Sequence, residues 1–204
     1  MNRFSFALLA LWLGGCATLS TTLPPALSPE AARAAWQRHE QSLAALEDWT
    51  LAARIAIRTD NDGWNGQLQW RQTPAAYEIL FNAPFGQGAL QLQGDSHGVA
   101  MHDSGGETYA APDAETLLYE RLGWRLPVRG MRYWVTGLPE PDKPHSVEYD
   151  HAGRLASLQQ SDWRIRYPSY RRVDGVDLPE KVFIENHALS VRLVIDRWQL
   201  KPAV

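Results

Sequence analysis

The stretch Trp49-Thr50-Leu51-Ala52-Ala53-Arg54-Ile55-Ala56-Ile57-Arg58 runs into a turn at Asp60-Asn61-Asp62-Gly63, and Trp64-Asn65-Gly66-Gln67-Leu68-Gln69-Trp70-Arg71 follows it. Its period is two. Leu51, Ala53, Ile55 and Ile57 alternate with Ala52, Arg54, Ala56 and Arg58. After the turn, Trp64, Gly66, Leu68 and Trp70 alternate with Asn65, Gln67, Gln69 and Arg71. Successive side chains on a strand point to opposite faces, so each segment has an apolar inward face. A short polar turn joins the two, which predicts an antiparallel hairpin.

The same pattern continues downstream. Tyr77, Ile79 and Phe81 are followed by Leu90 and Leu92 between glutamines, with turn signals at Gly94-Asp95-Ser96 and Ser104-Gly105-Gly106. Two short helices interrupt it. Asp113 caps a segment with Ala114, Leu117, Leu118 and Leu122 on one side; Met131, Trp134, Val135 and Leu138 form the next stripe, ended by Gly137 and Pro139. Strands resume near Ser146, Arg154, Trp163, Lys181 and Leu189, for a total of about eleven. Upstream, Ser28-Pro29-Glu30 starts a helix whose apolar positions are Trp36, Leu43 and Leu46. A meander with one apolar face must cover it, by curling towards a barrel or by taking helices as a lid. Periodicity favours a filled core, since small barrels are normally packed with side chains.

The chain has 204 residues, 45% hydrophobic and 21% charged, with a formal net charge of -3. That composition describes a globular protein and gives no basic footprint for nucleic acid. The lone cysteine, Cys16, excludes an internal disulfide and a cysteine metal site. It ends an apolar run, Phe4 to Leu13, that is too short for the ~20 residues of a bilayer span. Leu13-Gly14-Gly15-Cys16 resembles the bacterial lipobox, where cleavage precedes the cysteine and its sulfur takes a diacylglycerol. We therefore expect a signal peptide at 1–15, a lipidated N-terminus and tether at 16–29, and one domain at 30–204. Ala17 stands where an Asp would retain a sorted lipoprotein at the inner membrane. The expected location is the outer membrane, facing the periplasm.

Catalytic patterns are present but misplaced. Gly94-Asp95-Ser96-His97-Gly98 fits the G-x-S-x-G elbow, yet a short strand follows it where the motif needs a helix. His102-Asp103-Ser104-Gly105-Gly106 also sits at a turn. The six histidines are scattered, and Asp60, Asn61 and Asp62 lack the Gly and Glu spacing of a calcium loop. No phosphate loop occurs. We expect no catalytic residue, no metal and no cofactor.

Asn82-Ala83-Pro84-Phe85-Gly86-Gln87-Gly88 places a bulky apolar residue on a connection. Phe85 there either folds back over the core or touches a membrane. Trp70-Arg71-Gln72, Tyr77-Glu78-Ile79-Leu80-Phe81-Asn82-Ala83-Pro84-Phe85-Gly86, Ala114-Glu115, Leu122-Gly123-Trp124-Arg125-Leu126-Pro127-Val128 and Tyr133-Trp134-Val135-Thr136-Gly137-Leu138-Pro139 together resemble the LolB family of outer-membrane lipoprotein receptors. The last segment is the most specific, and the likeness covers nearly the whole chain.

The resemblance implies a mainly β (α+β) fold: a curved, incompletely closed antiparallel half-barrel with an internal apolar cavity covered by short helices. It implies a receptor that takes lipoproteins from a periplasmic carrier and inserts them into the outer membrane without ATP. The expected partners are that carrier, acylated cargo and outer-membrane lipid, with the chain a monomer. The family's protruding loop carries Leu between Pro and Gly; Pro84, Phe85 and Gly86 match it here. Candidate acyl-chain lining is Ile55, Leu68, Trp70, Ile79, Phe81, Leu90 and Leu92, with Trp134 from the lid. Arg164, Arg166, Arg171 and Arg172 are candidates for docking the carrier. A scaffold lipoprotein and a lipid-anchored hydrolase built on Ser96 are the alternatives.

Overall fold

A computed structural model describes residues 27–84 and 88–201. In chain order the elements are α1 (Pro29–Ala44), β1 (Trp49–Thr59), β2 (Gly63–Gln72), β3 (Tyr77–Asn82), β4 (Ala89–Gly94), β5 (Val99–Asp103), β6 (Thr108–Ala111), α2 (Ala114–Leu122), α3 (Val128–Trp134), β7 (His145–Tyr149), β8 (Leu155–Gln160), β9 (Trp163–Val173), β10 (Val176–Glu185) and β11 (Leu189–Leu200). The strands form one eleven-stranded antiparallel sheet, ordered β6-β5-β4-β3-β2-β1-β11-β10-β9-β8-β7.

Two meanders thus meet where β1 pairs with β11, and β6 and β7 are left as free edges. The sheet is not closed. The chain must travel from the β6 edge to the β7 edge, and α2 and α3 lie on that route. A crossing of the concave face by two apolar helices is what makes them a lid.

The predicted alternation holds along β1, where Leu51, Ala53, Ile55 and Ile57 are buried. Trp49 opens that strand and packs 5.5 Å from both Trp70 and Trp198, a tryptophan cluster across three neighbouring strands. Gly66 on β2 marks a close approach, since a Cβ there would collide with the Asn82 carbonyl at the end of β3. All six residues of β3 are only half-buried. Its apolar residues Tyr77, Ile79 and Phe81 pack against the core, and Ile79 and Phe81 also border a cavity.

The helices begin as their caps dictate. Ser28 accepts from the Ala31 N–H at 3.2 Å, and Asp113 accepts from the Thr116 N–H at 2.7 Å. Gly123, at φ 71, ends α2 in the left-handed region that glycine tolerates. The helix expected to reach Leu138 stops at Trp134. Gly137 turns the chain at φ 90 and Leu138 donates back to the Tyr133 carbonyl at 3.0 Å, so Val135 is buried beyond the helix end.

Helix α1 covers the sheet beside Tyr149 and Tyr170. Trp36 lies 5.8 Å from the Tyr149 ring and His39 lies 6.3 Å from that of Tyr170. Burial holds the His39 imidazole below its ordinary pKa; Asp177 and Asp150 oppose that shift and Arg154 reinforces it. A base whose folded pKa is depressed favours folding most while neutral. Its contribution is present above pH 6.5, the ordinary value, and is lost as pH falls through the depressed one. Urea unfolding at pH 7.5 and pH 5 should show lower stability in acid, with a smaller drop in His39→Gln.

Candidate functional site

Under the lid lies a cavity of about 70 Å³ whose exposed wall is entirely apolar. Ile55, Leu68, Trp70, Ile79, Phe81, Leu90 and Leu92 line it from β1 to β4. Those seven were the strand candidates, and alternate positions on neighbouring strands converge because the sheet curls. Ile57, Leu118, Trp124, Leu126, Val128 and Met131 complete the wall and were not singled out from sequence. Ile57 continues the alternation of Ile55. Leu118 and Met131 sit on the two lid stripes. Trp124 and Leu126 belong to the link between α2 and α3, where alternation over three residues is too short a signal.

Trp134 is buried and lies outside the wall of this cavity. Its indole N–H donates to Gln160 Oε1 at 2.8 Å, its carbonyl accepts from Tyr167 at 3.0 Å, and its ring lies 6.1 Å from that of Trp163. Gln160 also accepts from the Glu140 N–H at 2.8 Å. Trp134 therefore bolts the far end of the lid to β8 and β9. Trp134→Phe should cost about 0.5–1.5 kcal/mol, the loss of one hydrogen bond to a Gln160 oxygen that keeps the Glu140 N–H, read by urea unfolding.

Beside the cavity is a more polar vestibule of about 380 Å³, which shares Trp70 and Val128 with the apolar wall. Gln72, 2% exposed, marks the boundary. It accepts from the Trp70 indole N–H at 3.3 Å and donates to the Thr73 and Ala76 carbonyls. The Tyr77 hydroxyl is pushed up to about 12, first by burial and then by Glu115, Asp113 and Asp95, so it stays a neutral donor.

The four arginines are exposed on β9. Arg166 pairs with Glu185 at 3.5 Å, Arg172 with Asp177 at 3.7 Å, and Arg171 with Glu180. Arg164 forms no ion pair among the described residues. Their charge is thus largely balanced across β9 and β10, which antiparallel register places side by side.

The Ser96 arrangement cannot relay a proton. Ser96 Oγ lies 3.4 Å and Asp95 Oδ1 lies 3.5 Å from the same His97 nitrogen, Nδ1, whereas a relay needs one partner on each ring nitrogen. The segment is the β4–β5 turn and His97 is solvated. Among the described residues no three His, Cys, Asp or Glu side chains gather as metal ligands. None of the described helices is long and apolar enough to cross a membrane.

Cys16, Phe85 and Gly86 lie outside the described residues. Pro84 is half-buried, and the base of its connection is pinned by the Ala83 N–H donating to the Gly88 carbonyl at 3.0 Å. Antiparallel connectivity puts this connection at the same end as the β1–β2, β5–β6, β8–β9 and β10–β11 turns.

The family model described as outer membrane lipoprotein LolB matches residues 47–198. An outer-membrane lipoprotein LolB from Nitrosococcus oceani is 41% identical over 200 residues, covering 97% of this chain and 98% of that protein. One from Pseudomonas savastanoi pv. phaseolicola is 40% identical over 194 residues, covering 95% and 93%. Among solved structures, a LolA superfamily protein from Nitrosomonas europaea aligns with a TM-score of 0.52 at 8% identity, over 85% of this chain and 94% of that one. At that identity the likeness concerns the fold.

Proposed function

The chain belongs to the LolB family of outer membrane lipoproteins, and on that premise we propose that it receives acylated lipoproteins from a periplasmic carrier and delivers them into the outer membrane without ATP. The observation that carries this reading is a wholly apolar cavity between an open sheet and two lid helices. Each acyl chain exposed to water costs ~0.8 kcal/mol per CH₂. Transfer must keep the chains covered, and a hydrocarbon wall with no catalytic group does that.

The cavity as it stands is a closed form. An apolar cavity of ~150 Å³ holds one benzene, so about 70 Å³ cannot take a whole acyl chain. The lid lifts to admit one. Trp134 is bolted to the sheet, so the moving part is the link that carries Trp124 and Leu126. A chain then descends from carrier to cavity to bilayer by binding more tightly at each step, and no nucleotide is required. Cys16, lipidated after removal of residues 1–15, tethers the protein through 16–29, and residues 30–204 do the work as a monomer. Pro84, Phe85 and Gly86 present the loop that meets the bilayer.

The test is transfer of a radiolabelled lipoprotein from carrier to outer membranes with and without this protein. Transfer that proceeds equally without it refutes the receptor. Photo-crosslinkers at Leu68 or Phe81 should capture acylated cargo; capture confined to outward positions such as Gln67 would refute the cavity. Arg164, Arg166, Arg171 and Arg172 are proposed to meet an acidic rim on the carrier. Salt should then slow transfer, and Arg164→Glu should slow it most, because that charge is not balanced by an ion pair among the described residues. Rates indifferent to both would remove this surface.

A further inference from the structure

We propose that the vestibule beside the cavity seats the acyl linkages of the cargo, with the Arg132 guanidinium donating to their carbonyl oxygens while the chains lie against the hydrocarbon wall. This rests on the chain being a receptor for acylated proteins.

Almost every polar side chain of the vestibule is already engaged. Gln72 is consumed by Trp70, Thr73 and Ala76. Asp95 accepts from the His97 N–H at 2.7 Å, and Asp113 caps α2. Glu115 accepts from the Arg129 N–H at 3.1 Å, and the Arg129 side chain turns to Glu140 at 3.8 Å. Ser96 contacts the His97 ring. Arg132 differs. It lines the vestibule and is half-buried, yet among the described residues it has no hydrogen bond and no ion pair. Its guanidinium carbon lies 5.7 Å from the centroid of the Tyr133 ring. A guanidinium has five donors and no acceptor. The half-buried guanidinium keeps its donors within reach of water in the vestibule, so an acceptor that arrives later replaces water and not an internal partner.

The cargo brings such acceptors at the right place. An acylated glyceryl-cysteine carries two ester carbonyls and one amide carbonyl at the head of its chains. These oxygens accept and do not donate, and they carry no charge. The wall exposes no polar surface, and the Trp124 indole N–H, a buried donor without a partner among the described residues, is withdrawn from the cavity surface, so the oxygens stay outside the wall. They stop where the first donors appear, and the Trp70–Val128 boundary is where hydrocarbon gives way to the vestibule. The Tyr77 hydroxyl, also free of a hydrogen bond among the described residues, is a second donor on the same vestibule.

The experiment uses the full chain, a synthetic triacylated lipopeptide, and its analogue with both glyceryl esters replaced by ethers. Chain length is unchanged, so the hydrocarbon contact is the same in both. The wild type should bind the ester form about tenfold more tightly, the scale of one hydrogen bond to a charged donor. Arg132→Gln should bind the two forms equally, near the wild-type affinity for the ether. Arg132→Lys, which keeps the charge but not the planar fork, should recover part of the difference. A wild type that does not distinguish the two ligands overturns the proposal whatever the variants do. So does Arg132→Gln that retains the tenfold preference. A wild type that binds neither ligand refutes the receptor reading itself.

Discussion

Phe85→Glu should leave transfer of cargo from the carrier intact and abolish its insertion into liposomes. A fully buried aromatic side chain gains about 1.5–3 kcal/mol on leaving water. Glutamate forfeits that gain and adds a charge that the hydrocarbon rejects, so insertion should fall by about a hundredfold or more. The loop has a pinned base, Ala83 to Gly88, and its replaced residue lies beyond the strands that line the cavity. Cargo should therefore accumulate on the protein, visible as a stable complex by gel filtration. Phe85→Leu should insert normally, since bulk and hydrophobicity are kept. Insertion by Phe85→Glu at the wild-type rate would assign Phe85 to the core.

Trp70→Ala should be the most destabilising single change in the cavity wall, by about 3–5 kcal/mol. Trp70 is 1% exposed and performs three tasks. It faces the cavity, packs on Trp49 at 5.5 Å, and donates its indole N–H to Gln72. Removing the ring enlarges an existing void and deprives a buried amide oxygen of its donor, a further loss of about 1–3 kcal/mol. Trp70→Phe retains the ring contact and should cost markedly less. Urea unfolding separates the two; equal midpoints for wild type and Trp70→Ala would mean that the wall is not part of the core.

Much of the fold was legible along the chain. The inward residues of β1, β2 and β4 follow from alternation, the turns from Gly and Asp, and the helix starts from Ser28 and Asp113. Each of these depends on a few adjacent residues. Other features could not be read from adjacent residues. Met131 and Trp134 stand on one helical stripe, and a stripe says that a side is buried without saying against what. Met131 meets the cavity, while Trp134 meets Gln160 and Trp163. The arginines of β9 looked like a free basic run because their acids, Asp177, Glu180 and Glu185, lie on the next strand. The vestibule was invisible for the same reason. Gln72, Tyr77, Glu115 and Arg132 share no local pattern.

Alternation and caps set which face of each strand and helix turns inward, because side-chain direction is a property of the local backbone. Residue chemistry marked Cys16 and Phe85 without any contact being known. The openness of the sheet, the size of the cavity and the identity of its lid residues follow from something else. They depend on how eleven strands curl and on where the β6-to-β7 crossing comes to rest, and both are sums over contacts far apart in sequence. Periodicity favoured a filled core for this reason: it counts apolar faces, and a void is what remains when those faces do not quite meet.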